Sequence, residues 1–358
     1  MRFLFRTDAS TASGTGHVMR CATLARALVE AGHEIRFLCL EVPGNLNRWL
    51  EEQGFAVTRL AVPASATLSQ PVDAAASRLA LDGRSYDWII VDQYELDAEW
   101  ERAMAASGAR ILAIDDLGRP HQCDLLLDQN YRNPAHELYP ARVNRACRLL
   151  LGPDFALVRS DFTRNRPTSL ARQRRALSHL LVFMGGSDAA NQTAKALAGL
   201  ALAGRPDLTA DVVIGATNPH RQRMEAACMK MPNVTLHVQT PRMAELMVKA
   251  DLAVCAGGTT TWERCVLGLP SLVTILADNQ AAIAEAMAAA GAQRLLGWHD
   301  KISARDYGEA LAALDPGEIA RMSERAAAIC DGGGVARLVR LLAAPEAATH
   351  PEASAIHA

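Results

Sequence analysis

The sequence has no long apolar run, no paired cysteine motif and no excess of charge of one sign. A membrane-spanning helix needs about 18 uninterrupted apolar residues, and no stretch of the chain reaches that length, so no membrane span is expected. Lys and Arg total 37 against 39 Asp and Glu, a formal net charge of -2, which leaves no broad basic field for a nucleic-acid backbone. We therefore expect neither a membrane nor a nucleic acid as partner.

The eight cysteines are scattered, with no C-x-x-C pair and no neighbouring His-x-x-x-His. This pattern is typical of reduced thiols in a cytoplasmic protein, and it argues against zinc or another bound metal. The first residues, MRFLFRTDAS, are interrupted by Arg6 and Asp8, so they predict a β-strand rather than a secretory signal. The composition offers no reason for an obligate dimer, and a monomer is expected.

The 358 residues are half hydrophobic and 21% charged, which indicates an ordinary globular protein. At about 150 residues per domain, the length favours two domains. Short apolar runs that alternate with helical periodicity predict an α/β fold of two doubly wound, Rossmann-like domains that face each other across a cleft. The predicted parts are a first domain at 1–160, a polar, proline-containing linker at 161–175, a second domain at 176–342 and a flexible tail at 343–358.

The first candidate segment, DASTASGTGHVMRC, follows the first predicted strand. Gly14 and Gly16 let backbone amides approach a ligand closely, and His17 begins the helix that follows. The positive end of that helix disfavours the charged imidazolium, so His17 is a candidate proton acceptor; alternatively it only caps the helix or bonds the loop backbone. Because Met19 stands where a dinucleotide fingerprint has its third glycine, neither NAD nor FAD is expected.

The second candidate segment is VDQYELDAEWE, where a predicted strand ends and acidic and aromatic residues gather. Asp92 and Tyr94 would lie beyond the carboxyl end of that strand, which is where open α/β sheets bind ligands. A helix N-terminus alone accounts for the acidic residues that follow, since the helix dipole favours negative charge there. Only Asp92 and Tyr94 are therefore candidate site residues in this segment.

The third candidate segment, MGGSDAANQT, carries paired glycines between a predicted strand and a predicted helix. Gly186 and Ser187 are placed where a phosphate would meet backbone amides. No Lys follows the glycines, so the segment is not a Walker loop. The alternative interpretation of Gly185 and Gly186 is a plain tight turn.

The fourth and most specific segment runs from Ala250 to Gln280, where a predicted strand leads into Gly257 and Gly258 and a helix begins at the threonines that follow. Free helix amides at that point are suited to a diphosphate. Glu263, three residues after Thr260, could close a capping box at the helix start. It could equally accept the ribose hydroxyls of a nucleotide, and the sequence leaves both interpretations open.

In this order, the four segments resemble the nucleotide-sugar hydrolases of pseudaminic acid biosynthesis, which remove UDP from UDP-2,4-diacetamido-2,4,6-trideoxy-β-L-altropyranose. The resemblance covers most of the chain in outline. Its most specific part is R-x-D-A-S at Arg6–Ser10 followed by G-x-G-H-V-M-R-C at Gly14–Cys21. The block A-G-G-T-T-T-W-E also resembles the UDP site of peptidoglycan glycosyltransferases, so it indicates the superfamily, and UDP, better than the reaction.

This resemblance implies a glycosyltransferase-B-like fold in which the second domain holds UDP and the first faces the sugar. It also implies that His17 activates a water for inverting attack at the anomeric carbon, which breaks the C–O bond and releases UDP and the free sugar with no cofactor or metal. The implied partner is a small-molecule UDP-sugar, of the kind used to decorate a bacterial surface or flagellar protein. The implied contacts of the sugar or diphosphate are Asp8, Gly14, Gly16, Asp92, Tyr94, Asn279 and Gln280, and those of UDP are Gly186, Ser187, Gly257, Gly258, Thr259, Thr260 and Glu263.

Three other functions stay open at the level of sequence. A UDP-sugar-dependent glycosyltransferase of the same fold would release UDP slowly until it received an acceptor alcohol. A non-catalytic protein would bind the nucleotide sugar without turnover. A UDP-sugar 2-epimerase shares the two-domain plan, but it would be expected to carry more carboxylates around the sugar than Asp8, Asp92 and Glu95.

Overall fold

The structure is a computed structural model of the chain, and it describes residues 1–11, 13–60, 69–131, 138–174 and 176–344. The chain divides into two compact units. Of the described residues, the first unit contains 1–130, 138–157 and 333–344, and the second contains Val158–Gly332 with Tyr131. Within the described residues, no helix is long and apolar enough to cross a membrane.

Each unit is built on a parallel β-sheet. In chain order the strands are β1 Arg2–Thr7, β2 Glu34–Cys39, β3 Ala56–Arg59, β4 Trp88–Asp92, β5 Arg110–Ile114, β6 Leu125–Asp128, β7 Arg148–Leu151, β8 His179–Phe183, β9 Thr209–Ile214, β10 Val234–Val238, β11 Leu252–Ala256, β12 Ser271–Ile275 and β13 Arg294–Trp298. The seven-stranded sheet of the first unit has the order β3-β2-β1-β4-β5-β6-β7, and the six-stranded sheet of the second has the order β10-β9-β8-β11-β12-β13. Both orders reverse direction beside the first strand of the sheet, which is the doubly wound arrangement.

Helices connect the strands and cover the sheets. In chain order they are α1 Gly16–Glu30, α2 Asn47–Glu52, α3 Gln70–Ala80, α4 Ala98–Ala105, α5 Ser160–Ala171, α6 Gln192–Leu202, α7 Arg221–Cys228, α8 Met243–Lys249, α9 Thr260–Val266, α10 Asp278–Ala289, α11 Ala304–Ala312, α12 Pro316–Ile329 and α13 Gly334–Ala343. Because parallel strands are covered on both faces, their sequences are almost continuously apolar, as in WIIVD of β4 and LAVCA of β11, which are buried throughout.

Successive side chains of β1 supply the two cores of the first unit. Phe3 and Phe5 pack with α1 on one face of the sheet, whereas Leu4 packs on the other face with Trp100 of α4. This alternation follows from the two-residue repeat of a strand. The second unit has a corresponding core that joins β8, β9 and β11 to α6 and Tyr307 of α11. The predicted α/β architecture of two Rossmann-like units is therefore confirmed.

The boundary between the units corrects the predicted linker. Residues 161–175 were expected to be irregular, but Ser160–Ala171 form α5. Its sequence is polar because only a narrow stripe of the helix is buried, through Phe162 and Ser169. The first unit instead ends at Leu157, directly before this helix.

The C-terminal helix also differs from the prediction. The second domain was expected to extend to residue 342, yet α13 belongs to the first unit. The indole Nε1 of Trp88 donates to the carbonyl of Leu342 at 3.1 Å, and an added Cβ at Gly334 would lie 2.4 Å from the carbonyl oxygen of Ala156. These are long-range contacts, which local sequence patterns do not report. Residues 345–358, most of the predicted tail, lie outside the described residues.

A buried cluster of charges joins α4 to the loop after β5. Nδ1 of His121 lies 2.7 Å from Oε1 of Glu101, and its Nε2 lies 3.4 Å from Oδ2 of Asp115. Asp115 also accepts a 2.7 Å hydrogen bond from Nε of Arg119. Burial alone would lower the pKa of His121, but the two carboxylates outweigh it and raise this pKa to about 9. The ring therefore stabilises the fold in its protonated form.

We predict that the free energy of unfolding falls as the pH rises through about 9. The contribution of His121 is fully present below its unfolded pKa of about 6.5, and it is lost as the folded ring deprotonates near pH 9. Substitution of His121 by Gln removes the cation between two buried carboxylates, so at pH 6 the variant should be about 3 kcal/mol less stable than the parent. This deficit should shrink toward pH 10 in urea-unfolding curves.

The control for this prediction is His220→Gln, since the ring of His220 bonds the carbonyl of Ala189 and not a carboxylate. The control variant should keep the pH profile of the parent. A pH-independent deficit in His121→Gln would contradict the assignment of a protonated ring.

Candidate functional site

The loop after β1 leads directly into α1 and is held by its own backbone. Ser10 and Gly14 pair across it, with Gly14 in the left-handed region at φ 75°. A neighbouring loop packs closely against it, because an added Cβ at Gly44 would lie 2.6 Å from the amide nitrogen of Thr11. Gly16 is the first residue of α1 and His17 the second. The predicted strand, glycine loop and helix therefore occur as expected.

His17 is held against the end of β4. Its Nδ1 lies 2.6 Å from Oδ1 of Asp92, and its ring meets the ring of Tyr94 edge to face, with centroids 4.5 Å apart. The parallel register explains this contact, since Thr7 pairs with Asp92 and the carboxyl ends of β1 and β4 lie side by side. His17 is 9% exposed. It is thus neither a helix cap nor a free surface histidine.

The carboxylate of Asp92 is shared between His17 and Arg20. Arg20 donates from Nε to Oδ2 and from Nη2 to Oδ1, each at 2.6 Å. Burial alone would raise the pKa of Asp92, but the charge of Arg20 and the hydrogen bonds of Arg20 and His17 hold this pKa well below its usual range. In the tautomer that carries its proton on Nδ1, His17 donates to this carboxylate and Nε2 is the acceptor of the ring.

Arg20 is a site residue that the reasoning about candidate side chains missed. It lies one helical turn after His17 on α1, is 6% exposed and also contacts Asp116 at 3.3 Å. The i, i+3 spacing from His17 was visible in the sequence. Its carboxylate partners were not, because Asp92 ends β4 and Asp116 follows β5, far along the chain.

The loop that carries Tyr94 is fixed by Arg119, which the sequence analysis also did not single out. Nη1 of Arg119 donates to the carbonyls of Tyr94 and Leu96 at 2.6 Å each, and its guanidinium lies 5.9 Å from the centroid of the Tyr94 ring. Asp115 orients this arginine. Tyr94 is therefore anchored through its backbone while its ring packs on His17.

Asp8 lies in a separate hydrogen-bonded network of the same unit. Its carboxylate accepts from Nη1 of Arg6 at 2.7 Å, from the amide of Leu40 at 2.7 Å and from Nε2 of Gln93 at 2.9 Å. Arg6 is fully buried and also pairs with Asp73. Three protein donors thus converge on Asp8, which was predicted as a substrate contact.

In the second unit, the loop after β8 is shaped by a close approach between two glycines. An added Cβ at Gly215 would lie 2.3 Å from the carbonyl oxygen of Gly186, and the amide of Gly215 donates to that oxygen at 3.0 Å. Gly185 takes a left-handed φ of 87°. Gly186 and Ser187, the predicted phosphate contacts, are exposed in this loop.

The start of α6 differs from the phosphate-binding helix that the sequence suggested. The buried carboxylate of Asp188 accepts the amides of Gln192 at 2.8 Å and Thr193 at 2.9 Å. The chain's own anion therefore occupies the amide donors that a phosphate would use. Only the loop at Gly186 and Ser187 stays a predicted contact.

The loop after β11 ends at α9, and no side chain caps this helix. Thr261 donates from Oγ1 to the carbonyl of Gly258 at 2.8 Å, while Thr259 makes no cap hydrogen bond. The carboxylate of Glu263 lies 3.5 Å from Nε of Arg159 instead of returning to the helix start. The capping-box interpretation of Glu263 is thus wrong, because α9 begins at Thr260 and places Glu263 beyond the capping position.

Glu263 is almost enclosed, with 17% of its side chain exposed. Burial raises its pKa to about 7, against the opposing effect of Arg159. A carboxylate that titrates near neutral pH is a frequent feature of functional sites. This supports a role in binding more than one in folding.

Of the two predicted residues on α10, the structure brings Gln280 to the glycine loop. Its Nε2 would lie 4.0 Å from an added Cβ at Gly258, and its Oε1 accepts the amide of Leu276 at 3.0 Å. β11 and β12 are parallel neighbours, so the segments that follow them share one edge of the sheet. Asn279 is exposed at the start of the same helix.

We predict that Gly215→Ala lowers the free energy of unfolding by about 1–3 kcal/mol, because the new methyl group overlaps the carbonyl of Gly186 and must displace the loop. Gly186→Ala is the matched control. No atom lies within 4 Å of an added Cβ there, so this variant should unfold at the temperature of the parent. Thermal unfolding compares the two, and an unaffected Gly215→Ala would contradict the close approach.

Comparisons with known proteins agree with this geometry. Residues 179–305 match the glycosyltransferase family 28 C-terminal domain, within the second unit. The chain is 24% identical over 295 residues to the UDP-2,4-diacetamido-2,4,6-trideoxy-β-L-altropyranose hydrolase of Campylobacter jejuni, covering 81% of this chain and 97% of that protein. It is 33% identical over 152 residues, 42% of each chain, to the spore coat polysaccharide biosynthesis protein SpsG of Bacillus subtilis.

A solved structure extends the likeness to the whole fold. The crystal structure of MurG from Acinetobacter baumannii superposes with a TM-score of 0.67 at 15% identity, covering 95% of this chain and 99% of that chain. Solved glycosyltransferases such as the spinosyn rhamnosyltransferase superpose with a TM-score of 0.56 at 16% identity. Both the predicted glycosyltransferase-B-like fold and the predicted resemblance to the hydrolase are confirmed.

Proposed function

We propose that this protein is a nucleotide-sugar hydrolase. Its glycosyltransferase-B-like fold and its resemblance to a UDP-sugar hydrolase along most of its length support the proposal. The enzyme cleaves UDP from UDP-2,4-diacetamido-2,4,6-trideoxy-β-L-altropyranose in pseudaminic acid biosynthesis, by C–O cleavage at the anomeric carbon with inversion. The observation that carries this proposal is the 2.6 Å contact of His17, which lies in the signature segment, with Asp92 at the end of β4.

His17 is the proposed general base. The ionised carboxylate of Asp92 holds the proton on Nδ1, so Nε2 takes the proton of the attacking water. Water adds to the anomeric carbon, the bond between that carbon and the diphosphate oxygen breaks, and UDP leaves with the electron pair. In this mechanism Asp92 and Arg20 orient the base and do not contact the sugar.

The sequence predicted Asp8 as a substrate contact, but the proposal gives it a structural role. Because Arg6, Leu40 and Gln93 already donate to its carboxylate, Asp8 shapes the loop instead. The backbone at Gly14 and Gly16 and the side chain of Tyr94 keep their proposed places around the sugar.

The second unit is proposed to bind UDP. Glu263 accepts the ribose hydroxyls, since its carboxylate is not used in capping. Residues of the loops after β8 and β11 and of the first turns of α9 and α10 contact the diphosphate, where amide and hydroxyl donors stabilise the charge of the leaving group. These proposed contacts are Gly186, Ser187, Gly257, Gly258, Thr259, Thr260, Asn279 and Gln280.

The deciding experiment is NMR of the purified protein with UDP-2,4-diacetamido-2,4,6-trideoxy-β-L-altropyranose and no acceptor. We expect prompt appearance of free UDP and of the free sugar, whose first-formed anomer has the inverted configuration and whose C2 configuration is unchanged. Epimerisation at C2 would identify a 2-epimerase instead.

A glycosyltransferase is the second candidate, because residues 179–305 match a glycosyltransferase domain. It would leave the substrate intact in this experiment until an acceptor alcohol was added. Broadened substrate signals without turnover under all conditions would indicate a binding protein.

We predict that His17→Ala lowers kcat by about 100-fold or more, the usual contribution of a general base. Asp92→Asn should lower kcat strongly as well, since an amide cannot hold the required tautomer. The Kd for UDP should stay within about twofold of the parent in both, because the proposed UDP contacts lie in the second unit.

The control is His33→Ala, at the amino end of β2, the opposite edge of the same sheet from His17. It should retain the parental kcat. A His17→Ala variant that kept most of its rate would contradict the assignment of the base.

We predict that uridine binds more tightly above pH 7 than below it. The pKa of Glu263 is about 7, so the carboxylate that accepts the ribose hydroxyls is ionised only above that value. Loss of these charged hydrogen bonds should weaken binding by about tenfold at pH 5.5. Isothermal titration with uridine measures this effect without interference from a phosphate group.

Glu263→Gln should bind weakly at all pH values and lose the pH dependence. Glu245→Gln, on α8 of the same unit and largely exposed, should retain the parental profile. An unchanged profile in Glu263→Gln would contradict the ribose assignment.

A further inference from the structure

We propose that Arg264 is the residue that makes the second unit selective for a nucleoside diphosphate over an uncharged nucleoside. It does so as a positioning residue that acts through the hydroxyl groups of Thr260 and Thr261. This inference rests on the proposed function, because it assigns a source of charge to the proposed UDP site.

Arg264 is buried without a hydrogen-bonded carboxylate among the described residues. It lies on α9 and is 3% exposed, and its guanidinium donates only to neutral oxygens. Nη1 lies 3.3 Å from the carbonyl of Ala256 and 3.2 Å from Oγ1 of Thr260, and Nη2 lies 3.2 Å from Oγ1 of Thr261. Among the described residues, no carboxylate oxygen lies within 4.0 Å of a guanidinium nitrogen of Arg264.

Of the other three buried arginines among the described residues, two bond carboxylates. Arg6 and Arg20 each bond two carboxylates. Arg174 has no direct carboxylate contact, but it donates to the carbonyls at the ends of α8 and α9, including those of Met247, Ala250 and Leu267. Those carbonyls carry the negative end of the helix dipole.

Arg264 lies in the last turn of α9, but its guanidinium reaches back to the carbonyl of Ala256 and Oγ1 of Thr260 at the start of the helix, away from the negative end of the dipole. A buried charge with only neutral partners is costly, and the folded chain retains it here beside the glycine loop. A bound anion at that loop would supply the missing compensation.

The hydroxyl groups of Thr260 and Thr261 connect the guanidinium of Arg264 to the glycine loop. Oγ1 of Thr261 accepts from Arg264 and donates to the carbonyl of Gly258 at 2.8 Å, which fixes the loop. Oγ1 of Thr260 also accepts from Arg264, so its own hydrogen is left as a donor. Thr260 is partly exposed, whereas Thr261 is buried.

A phosphate oxygen is an acceptor at neutral pH, and it needs donors with positive charge behind them. Arg264 thus fixes the Thr260 hydroxyl as a donor and polarises it. A uridine without phosphates would make no use of this arrangement. The ligand class that it recognises is therefore the diphosphate of the nucleotide.

The test compares the Kd values of UDP and uridine for Arg264→Met by isothermal titration. We expect UDP to bind about tenfold or more weakly and uridine to change by less than twofold, with Arg264→Lys between the parent and Arg264→Met. The UDP affinity of Arg264→Met should also depend less steeply on salt concentration.

Thr260→Val keeps the test valid if Arg264→Met does not fold. It removes the hydroxyl but leaves the arginine, so it should weaken the binding of UDP and leave the binding of uridine unchanged. In the double variant the two losses of UDP binding free energy should be less than additive, because both substitutions remove the same hydrogen bond between Arg264 and Thr260.

Arg166→Met is the control. Arg166 lies on α5 of the same unit and donates to the carbonyls of Val266, Ala327 and Cys330. This variant should unfold at a lower temperature but keep the parental ratio of the two Kd values.

Equal weakening of UDP and uridine in Arg264→Met and Thr260→Val, or no weakening of either, would overturn the inference while the parent still hydrolysed the UDP-sugar. A parent protein that neither bound UDP nor hydrolysed the UDP-sugar would overturn the proposed function, and this inference with it.

Discussion

The carboxylate of Asp92 stays ionised inside the first unit because the guanidinium of Arg20 and the ring of His17, both on α1, converge on it. Arg20 supplies two hydrogen bonds and His17 a third, and without them burial would favour the neutral acid. The contact in turn holds the start of α1 against the end of β4. The parallel pairing of β1 with β4, which sets Thr7 beside Asp92, is what makes it possible. The loops that surround His17 are arranged around this point.

The second unit has two glycine loops, and the buried charged side chains beside them have opposite signs. At α6 the chain fills the helix start with its own carboxylate, that of Asp188. At α9 it leaves the helix start uncapped and buries the cation Arg264 behind two threonine hydroxyls. The amides at the first helix start therefore already bind a carboxylate of the chain, while no described carboxylate bonds Arg264 behind the second. Similar glycine motifs in a sequence can thus have different electrostatic character, and the side chain that follows the glycines decides which.

Much of the architecture could be predicted from the sequence. Short apolar runs such as WIIVD and LAVCA are strands, because strands covered on both faces are apolar throughout and runs of this length are too short for most buried helices. The glycine loop before His17 was also predictable, since strand, glycines and helix are adjacent in the chain. The linker prediction failed at α5, where a narrow buried stripe leaves a mostly polar sequence. The place of α13 was not predictable because its contacts with Trp88 and Ala156 connect distant parts of the chain.

For the site, the sequence by itself determined which residue types stand at the carboxyl ends of the strands: the histidine after the first loop, the aspartate and tyrosine after β4, and the glycines and threonines after β11. These follow from local order along the chain, and strand direction alone places them at the sheet edge. Tertiary structure decided the partners. Whether Glu263 caps a helix or stays available, whether Asp92 faces a ligand or a histidine, and whether Arg264 meets a carboxylate depend on distances between segments far apart in the chain. Such distances are set by strand register and packing, and local sequence patterns do not report either of them.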